Sequence, residues 1–344
     1  MEKLLTIRDV AEYLQMSKEK VYKLAQQGKI PVSRIENQWR FRLEKVDAWL
    51  EANEMGTVTL PTPQLTTFQI SARAEPFLKW AGGKGQLLRQ YEAFFPKEFN
   101  NFLEPFVGGG AVFFHLFNSG RLQGKKKIFL IDSNVELINC YSVIKEDVEK
   151  LIKILNSPKF INTEETFYKI RAEEPKDKFE RAARTIYLNK TCFNGLYRVN
   201  SKGKFNVPFG GYKNPLICNS RNLITVSSAL QNVEILCGDF DRCLKLAKKE
   251  DFIYFDPPYQ PLNKTSSFTS YTKEPFGEKE QVKLSKVFRE LDKIGCRIML
   301  SNSDTSFIRK LYKNFRVEVV LAKRAINCKP FGRGAIKELV ILNY

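Results

Sequence analysis

The chain has 344 residues, 56 Lys+Arg against 38 Asp+Glu and one histidine, for a formal net charge of +18. At about 100–200 residues per domain this length predicts two or three domains, and a hydrophobic share of 43% excludes a wholly disordered chain. A lone His115 excludes multi-histidine zinc sites and two-histidine catalysis, and the basic surplus points to a polyanionic partner.

Residues 1–54 read as a small domain. Thr6 is a candidate N-cap, followed by Ile7, Val10, Ala11 and Leu14 on one helical face. Ser17 caps a second helix that turns Val21, Leu24 and Ala25 inward, and Gly28 stops it. Two short strands, Val32–Ile35 and Trp39–Arg42, follow across the turn Glu36-Asn37-Gln38, and then a third helix, Leu43–Glu51. Two helices, a tight turn and a hairpin make a helix-turn-helix with a wing. The outer face of the second helix offers Lys18, Lys20, Tyr22 and Lys23; the wing offers Arg34, Arg40 and Arg42. The unit resembles the excisionase/MerR-type winged helix-turn-helix family, which implies binding to duplex DNA with the second helix in the major groove. A protein-docking role for the same fold is the alternative.

Residues 55–75, rich in Thr and carrying two prolines, read as a linker. The body, 76–344, opens with Pro76-Phe77-Leu78-Lys79-Trp80-Ala81-Gly82-Gly83-Lys84, which lacks the spacing of a G-x-x-x-x-G-K-[ST] phosphate loop. Phe102-Leu103-Glu104-Pro105-Phe106-Val107-Gly108-Gly109-Gly110 reads as a buried strand, a glycine turn and then a helix from Ala111 to Phe117. Such glycines let the backbone approach a ligand at the end of a first strand. A second strand, Lys127–Ile131, ends in Asp132, where an acid holds a ribose diol. This pattern suits a dinucleotide or another adenosine cofactor equally.

An insert of about residues 150–230 follows. Between Glu180 and Glu234 there is no acid, and eight bases (Arg181, Arg184, Lys190, Arg198, Lys202, Lys204, Lys213 and Arg221) alternate with Tyr187, Phe193, Tyr197, Phe205, Phe209 and Tyr212. That composition predicts phosphate contacts together with base contacts. Strand Glu234–Cys237 precedes Asp239-Phe240. The run Phe252-Ile253-Tyr254-Phe255-Asp256-Pro257-Pro258-Tyr259 has a bland reading, a strand-ending turn with an incidental Asp. Its functional reading is a site for a planar, amine-bearing base. Asp256 and the Pro257 carbonyl would accept the two hydrogens of an exocyclic amine, and the prolines would stiffen the turn. Tyr259 would stack on the ring. Two acceptors favour a pyramidal amine whose lone pair is free to attack an electrophilic methyl. Strands Arg297–Ser301, Val317–Leu321 and Glu338–Leu342 complete a sheet, and the basic loop Arg324–Gly334 is expected to touch DNA. His115, on the helix after the glycine turn, is read as a packing residue.

PFLKWAGGK, EPFVGGG, Asp132 and DPPY, in this order, resemble the Dam-type (D12 class) DNA adenine-N6 methyltransferases, as do YLN and FNGLYRVNSKGKFNVPFGGYKNP in the insert. The resemblance spans about residues 76–344. It implies methyl transfer from S-adenosylmethionine to adenine N6, with the target nucleotide flipped out of the duplex. The fold class implied is α/β: a Rossmann-like sheet with a helical target-recognition insert, here behind a small winged helix-turn-helix. It assigns Trp80, Lys84, Glu104, Phe106, Gly108, Gly110, Asp132, Asp239, Phe240 and Asp256 to the cofactor. Asp256, Pro257, Pro258 and Tyr259 form the catalytic turn. Arg198 would read a guanine, Leu196 and Pro208 would touch a thymine methyl, and Phe193 or Asn194 would insert beside the vacated adenine. Asn200, Asn206, Tyr212 and Lys213 complete the DNA surface. Close relatives that read GATC often carry Arg before the tyrosine of the last loop, where this chain has Gly211-Tyr212. GATC is the leading target, with GATATC and related GAT sites as alternatives. Restriction protection, phage self-modification and repair marking all suit such an enzyme.

Seven cysteines with no C-x-x-C pair predict reduced thiols, and no metal site is expected. No apolar run nears the roughly 20 residues of a membrane span. A cytoplasmic, nucleoid-associated monomer in a bacterium or phage-infected cell is the expectation. A nuclease is disfavoured for want of a metal-binding acid cluster. A regulator with a decayed methylase body is disfavoured by the intact DPPY and glycine turns. Residues 1–54 hold ten basic and nine acidic residues, so a net +17 lies in the remainder.

Overall fold

A computed structural model describes residues 5–14, 16–35, 38–41, 45–46, 49, 73–261, 276–323 and 335–344. The chain divides into two units, Met1–Gln69 and Ile70–Tyr344.

In the first unit, helices Ile7–Tyr13 and Lys18–Gln26 begin where the polar caps predict. Thr6 Oγ1 accepts from the Asp9 amide, and the Asp9 carboxylate accepts from the Thr6 amide at 2.8 Å. This reciprocal pair satisfies two of the donors that a helix start leaves over. Val10, Ala11, Val21 and Ala25 are buried with Ile30, Phe41 and Val46, so the predicted inner faces meet. Lys18, Lys20, Tyr22 and Lys23 are exposed. Strands β1 (Ser33–Ile35) and β2 (Gln38–Arg40) pair antiparallel, with Ile35 opposite Gln38. Gln38 therefore belongs to the ladder, not to the turn, because two intervening residues suffice to join a hairpin. The expected helix Leu43–Glu51 lies outside the described residues except at Lys45, Val46 and Trp49. So do Arg42, the linker as far as residue 72, and the loop Arg324–Gly334.

The second unit is built on a seven-stranded sheet in the order β5-β4-β3-β6-β7-β9-β8. The strands are β3 (Phe102–Glu104), β4 (Ile128–Asp132), β5 (Val233–Cys237), β6 (Phe252–Phe255), β7 (Arg297–Ser303), β8 (Arg316–Lys323) and β9 (Ala335–Leu342). These ends move by only one or two residues from those expected, except that β8 and β9 extend up to three residues further. Alternate residues face opposite layers, since strand side chains have a period of two. Phe252, Tyr254 and Met299 join one core, packed against helices Val135–Glu146 and Lys178–Thr191. Ile253, Phe255, Ile298 and Leu300 join another, packed on helix Glu278–Ile294. Burial on both faces is why these strands read as continuous apolar runs.

β3 to β7 run parallel, so their carboxyl ends gather along one edge, the place where open α/β sheets bind ligands. β9 is antiparallel to both β7 and β8. Its first residues therefore lie beside the last residues of β7, with Glu338 opposite Ser303. No described helix is long and apolar enough to cross a membrane.

Candidate active site

A cleft of about 1410 Å³ opens along that edge, lined by residues of the Trp80–Gly85 segment, the glycine turn, Asp132, Phe240, the DPPY run and the start of β9. The structure thus brings together every residue that the resemblance assigns to cofactor and catalysis.

The glycine turn is built by backbone demand. Gly108 has φ +47° and Gly110 φ +69°, conformations that side-chain-bearing residues avoid. A Cβ on Gly108 would sit 2.7 Å from Trp80 Cδ1, and one on Gly110 would sit 2.6 Å from the Tyr141 hydroxyl oxygen. Tyr141 donates to the Gly108 carbonyl at 3.0 Å. Asp132, at the end of β4, accepts from the Gly108 amide at 3.1 Å and the Asn134 amide at 2.9 Å. Burial raises its carboxyl above the ordinary range despite these bonds. Glu104, only 2% exposed, accepts from the Phe113 amide at the start of the next helix. Its carboxyl is held well above the usual carboxylate range, first by burial and then by the nearby Asp256. At the other end of the cleft Phe240 stacks on Phe106 with centroids 5.3 Å apart. Asp239 caps the Phe240 amide and pairs with Lys283 at 2.5 Å.

Asp256 follows β6 directly. Its Oδ1 accepts from Lys84 Nζ at 2.7 Å and from the Ser301 hydroxyl at 2.8 Å. Both donors use the same oxygen, so among the described residues Oδ2 remains open for a further hydrogen bond. Lys84 is only 5% exposed. The proline turn is held by buried amides: Gln281 Nε2 donates to the Pro258 carbonyl at 2.9 Å, and Asn302 Nδ2 donates to Gln281 Oε1 at 3.1 Å. Asn302 Oδ1 accepts from the Gln260 amide. The Pro258 carbonyl is therefore occupied, whereas the Pro257 carbonyl has no such partner among the described residues. Tyr259 donates to Glu338 Oε2 at 2.7 Å, and Lys84 Nζ lies 4.7 Å from its ring centroid. Sequence reasoning named Ser301 and Glu338 as strand ends and gave no role to Gln281.

The insert departs from its compositional reading. Arg181 pairs with Glu136 at 2.6 Å, and Arg184 donates to the carbonyls of Ile170 and Arg171. Lys204 pairs with Glu174 at 2.6 Å. Tyr187 is fully buried and Phe205 is 9% exposed, both in the core. Arg184, Tyr187 and Phe205 serve the fold, and Arg181 and Lys204 are paired with acids outside the window, so the eight bases are not all unpaired cations. Phe193 remains 52% exposed on a short turn in which Asn194 has φ +55°. Arg198 Nε donates to Asn206 Oδ1 at 2.8 Å, so the two act as a pair. Asn200 Oδ1 closes a turn by accepting from the Lys202 and Lys204 amides. Pro208 and Lys213 are exposed, while Leu196 and Tyr212 are half-buried. Lys79 Nζ lies 5.2 Å from the Tyr212 ring centroid, and the Lys79 backbone is bracketed by Asn189. Tyr197 stacks on Trp80 at 5.2 Å. Lys79 and Tyr197 thus join the insert loops to the Trp80–Lys84 motif, a contact that motif spacing does not reveal. His115 forms a half-exposed pair with Glu92, away from the cleft lining.

The D12 class N6 adenine-specific DNA methyltransferase profile matches residues 80–326. The chain belongs to this family. A helix-turn-helix domain profile matches residues 4–54 of this D12 class enzyme. The enzyme is 50% identical over 289 residues to type II methyltransferase M.MjaIII of Methanocaldococcus jannaschii, covering 78% of this chain and 99% of that one. It is 43% identical over 277 residues to type II methyltransferase M1.LlaDCHI of Lactococcus lactis subsp. cremoris, covering 78% and 95%. It is 35% identical over 286 residues to the DNA adenine methylase of Haemophilus influenzae, covering 81% and 97%. The D12 class enzyme is an adenine-specific DNA methyltransferase that uses S-adenosylmethionine, on the mixed α/β sheet described above.

Proposed function

We propose that the enzyme methylates the adenine of GATC in duplex DNA after turning that nucleotide out of the helix into the cleft. The observation that carries this reading is the state of Asp256. With Oδ1 occupied by Lys84 and Ser301, Oδ2 and the Pro257 carbonyl are the open acceptors of the turn. They suit the two hydrogens of an adenine amine and would favour the pyramidal geometry in which its lone pair attacks. Reaching that amine in a duplex requires base flipping.

S-adenosylmethionine supplies the electrophilic methyl group. The cleft fits it: Gly108 and Gly110 bring bare backbone to the floor, Asp132 has lone pairs left for ribose hydroxyls, and Phe240 with Phe106 offers an aromatic end. Trp80, Lys84, Glu104, Asp239 and Asp256 complete that site. Residues 150–230 act as the recognition module. Within it Arg198, oriented by Asn206, reads a guanine; Leu196 and Pro208 meet a thymine methyl; Phe193 or Asn194 fills the vacated stack; Tyr212 and Lys213 hold the backbone. The winged helix-turn-helix, residues 1–54, adds a second DNA contact through its exposed basic helix face.

Mapping methylated adenines in DNA from cells expressing the wild type and Asp256→Ala tests the reading. Methyl groups confined to GATC and absent with Asp256→Ala support it; marks confined to GATATC or another GAT site overturn the target. A chain beginning at Arg73 tests the N-terminal role. Affinity and salt dependence equal to those of the full chain would remove it.

A further inference from the structure

Glu338 lies in the cleft, yet no step so far uses it. It is there because β9 alone runs against its neighbours, so its first residues reach the edge where the parallel strands end. Register places Glu338 opposite Ser303, two residues beyond the Ser301 that holds Asp256. Its Oε2 accepts the Tyr259 hydroxyl at 2.7 Å.

The chemistry of this contact is one-directional. The Tyr259 phenol is pushed well above its ordinary range, chiefly by burial, so it stays a donor at any working pH. Burial also raises the Glu338 carboxyl, opposed first by the Lys84 cation. An aromatic ring without a tether swings broadly about its last side-chain torsion. The hydroxyl oxygen lies on that torsion axis, so the Glu338 bond orients the ring through the phenolic hydrogen, which prefers the ring plane, while Lys84 Nζ, 4.7 Å from the centroid, takes one face. The opposite face is left for a base.

We infer that Glu338 is a positioning residue for methyl transfer: by holding the Tyr259 hydroxyl it sets the plane on which the target adenine stacks, and so the alignment of N6 with Asp256. It donates nothing to the substrate and does not touch the reacting atoms. This rests on the base-flipping reading above, because Tyr259 matters only if an adenine reaches it.

The test is a double-mutant cycle on the full chain with Glu338→Leu, Tyr259→Phe, their combination and Glu338→Gln. Methylation of a GATC duplex is followed at saturating S-adenosylmethionine. In parallel, the fluorescence of 2-aminopurine at the target position reports stacking of the flipped base. Glu338→Leu and Tyr259→Phe should each lower kcat about tenfold, the scale of one hydrogen bond to a charged acceptor. KM for DNA should stay within about twofold, the double variant should be no slower than either single one, and 2-aminopurine should brighten as the base unstacks. Glu338→Gln, which keeps an acceptor oxygen, should retain most of kcat. Multiplying losses in the double variant, or a Gln substitution as damaging as Leu, would overturn the inference. If Glu338→Leu yields no folded protein, Tyr259→Phe and Glu338→Gln decide it alone: the first must lose rate and the second must keep it. A failure of base flipping reads differently, as a wild-type 2-aminopurine signal that does not respond to binding.

Discussion

The Lys84 ammonium stands 2.7 Å from Asp256 Oδ1 and 4.7 Å from the Tyr259 ring centroid, so one buried cation serves both the acceptor and the aromatic of the DPPY turn. Removing one partner of a buried pair leaves the other charge uncompensated, which costs about 3–5 kcal/mol. Lys84→Met should therefore lower the urea midpoint and abolish methylation. Adding Asp256→Asn to it should restore stability without restoring activity. A double variant as unstable as Lys84→Met would show that the pair is not what Lys84 stabilises.

Gly108→Ala meets two obstacles at once, a φ of +47° and the Trp80 ring 2.7 Å from the new Cβ. Backbone strain of this kind costs about 1–3 kcal/mol. Titration calorimetry with S-adenosylhomocysteine should show affinity weakened by about tenfold or more, while binding to non-specific DNA without cofactor is retained. Unaltered affinity would mean that the turn does not meet the cofactor.

Glu104 gives a pH signature. Burial, reinforced by Asp256, raises its pKa in the fold above the ordinary 4.5, so the unfolded chain releases this proton at lower pH than the native one. The associated stability is fully present below the unfolded value and is lost as pH rises through the folded one. Glu104→Gln keeps an oxygen for the Phe113 amide and carries no titrating proton. It should match the wild type in urea unfolding at about pH 4 and exceed it at about pH 8. A gap that does not change with pH would contradict this assignment.

The insert separates two kinds of arginine. Arg198→Ala should cost about 1–3 kcal/mol of discrimination at one guanine, with Asn206→Ala giving a weaker version of the same loss. Arg184→Ala removes donors to the Ile170 and Arg171 carbonyls and should cost stability instead. Measuring DNA affinity against salt concentration distinguishes them from the backbone contact proposed for Lys213, whose removal alone should lower the slope, by about one ion. A reduced slope for Arg184→Ala would return it to the DNA surface.

What the sequence made legible was local. The caps Thr6 and Ser17, the glycine turn and the β6 run into Asp256 are decided by residues within a few positions of one another, and they stand where pattern reading puts them. What it hid was long-range pairing. An acid-free window offers no local partner to the bases in it, yet Glu136 and Glu174, both outside the window, hold Arg181 and Lys204. Gln281 and Asn302 buttress the proline turn across the sheet edge, and no spacing along the chain encodes that meeting.

The reversal of β9 also orders assembly in time. β8 has no partner in the sheet except β9, and β9 is made after every other described strand. During synthesis β8 emerges before its partner, and its ladder groups pair only when β9 follows as the next strand. Until then the edge of β7 is uncovered as well, and unpaired strand edges of this kind are open to wrong partners. The wall of the cleft that holds Glu338 is thus synthesised after the rest of the described cleft. A nascent chain that already carries the DPPY turn has yet to acquire the contact that fixes its tyrosine.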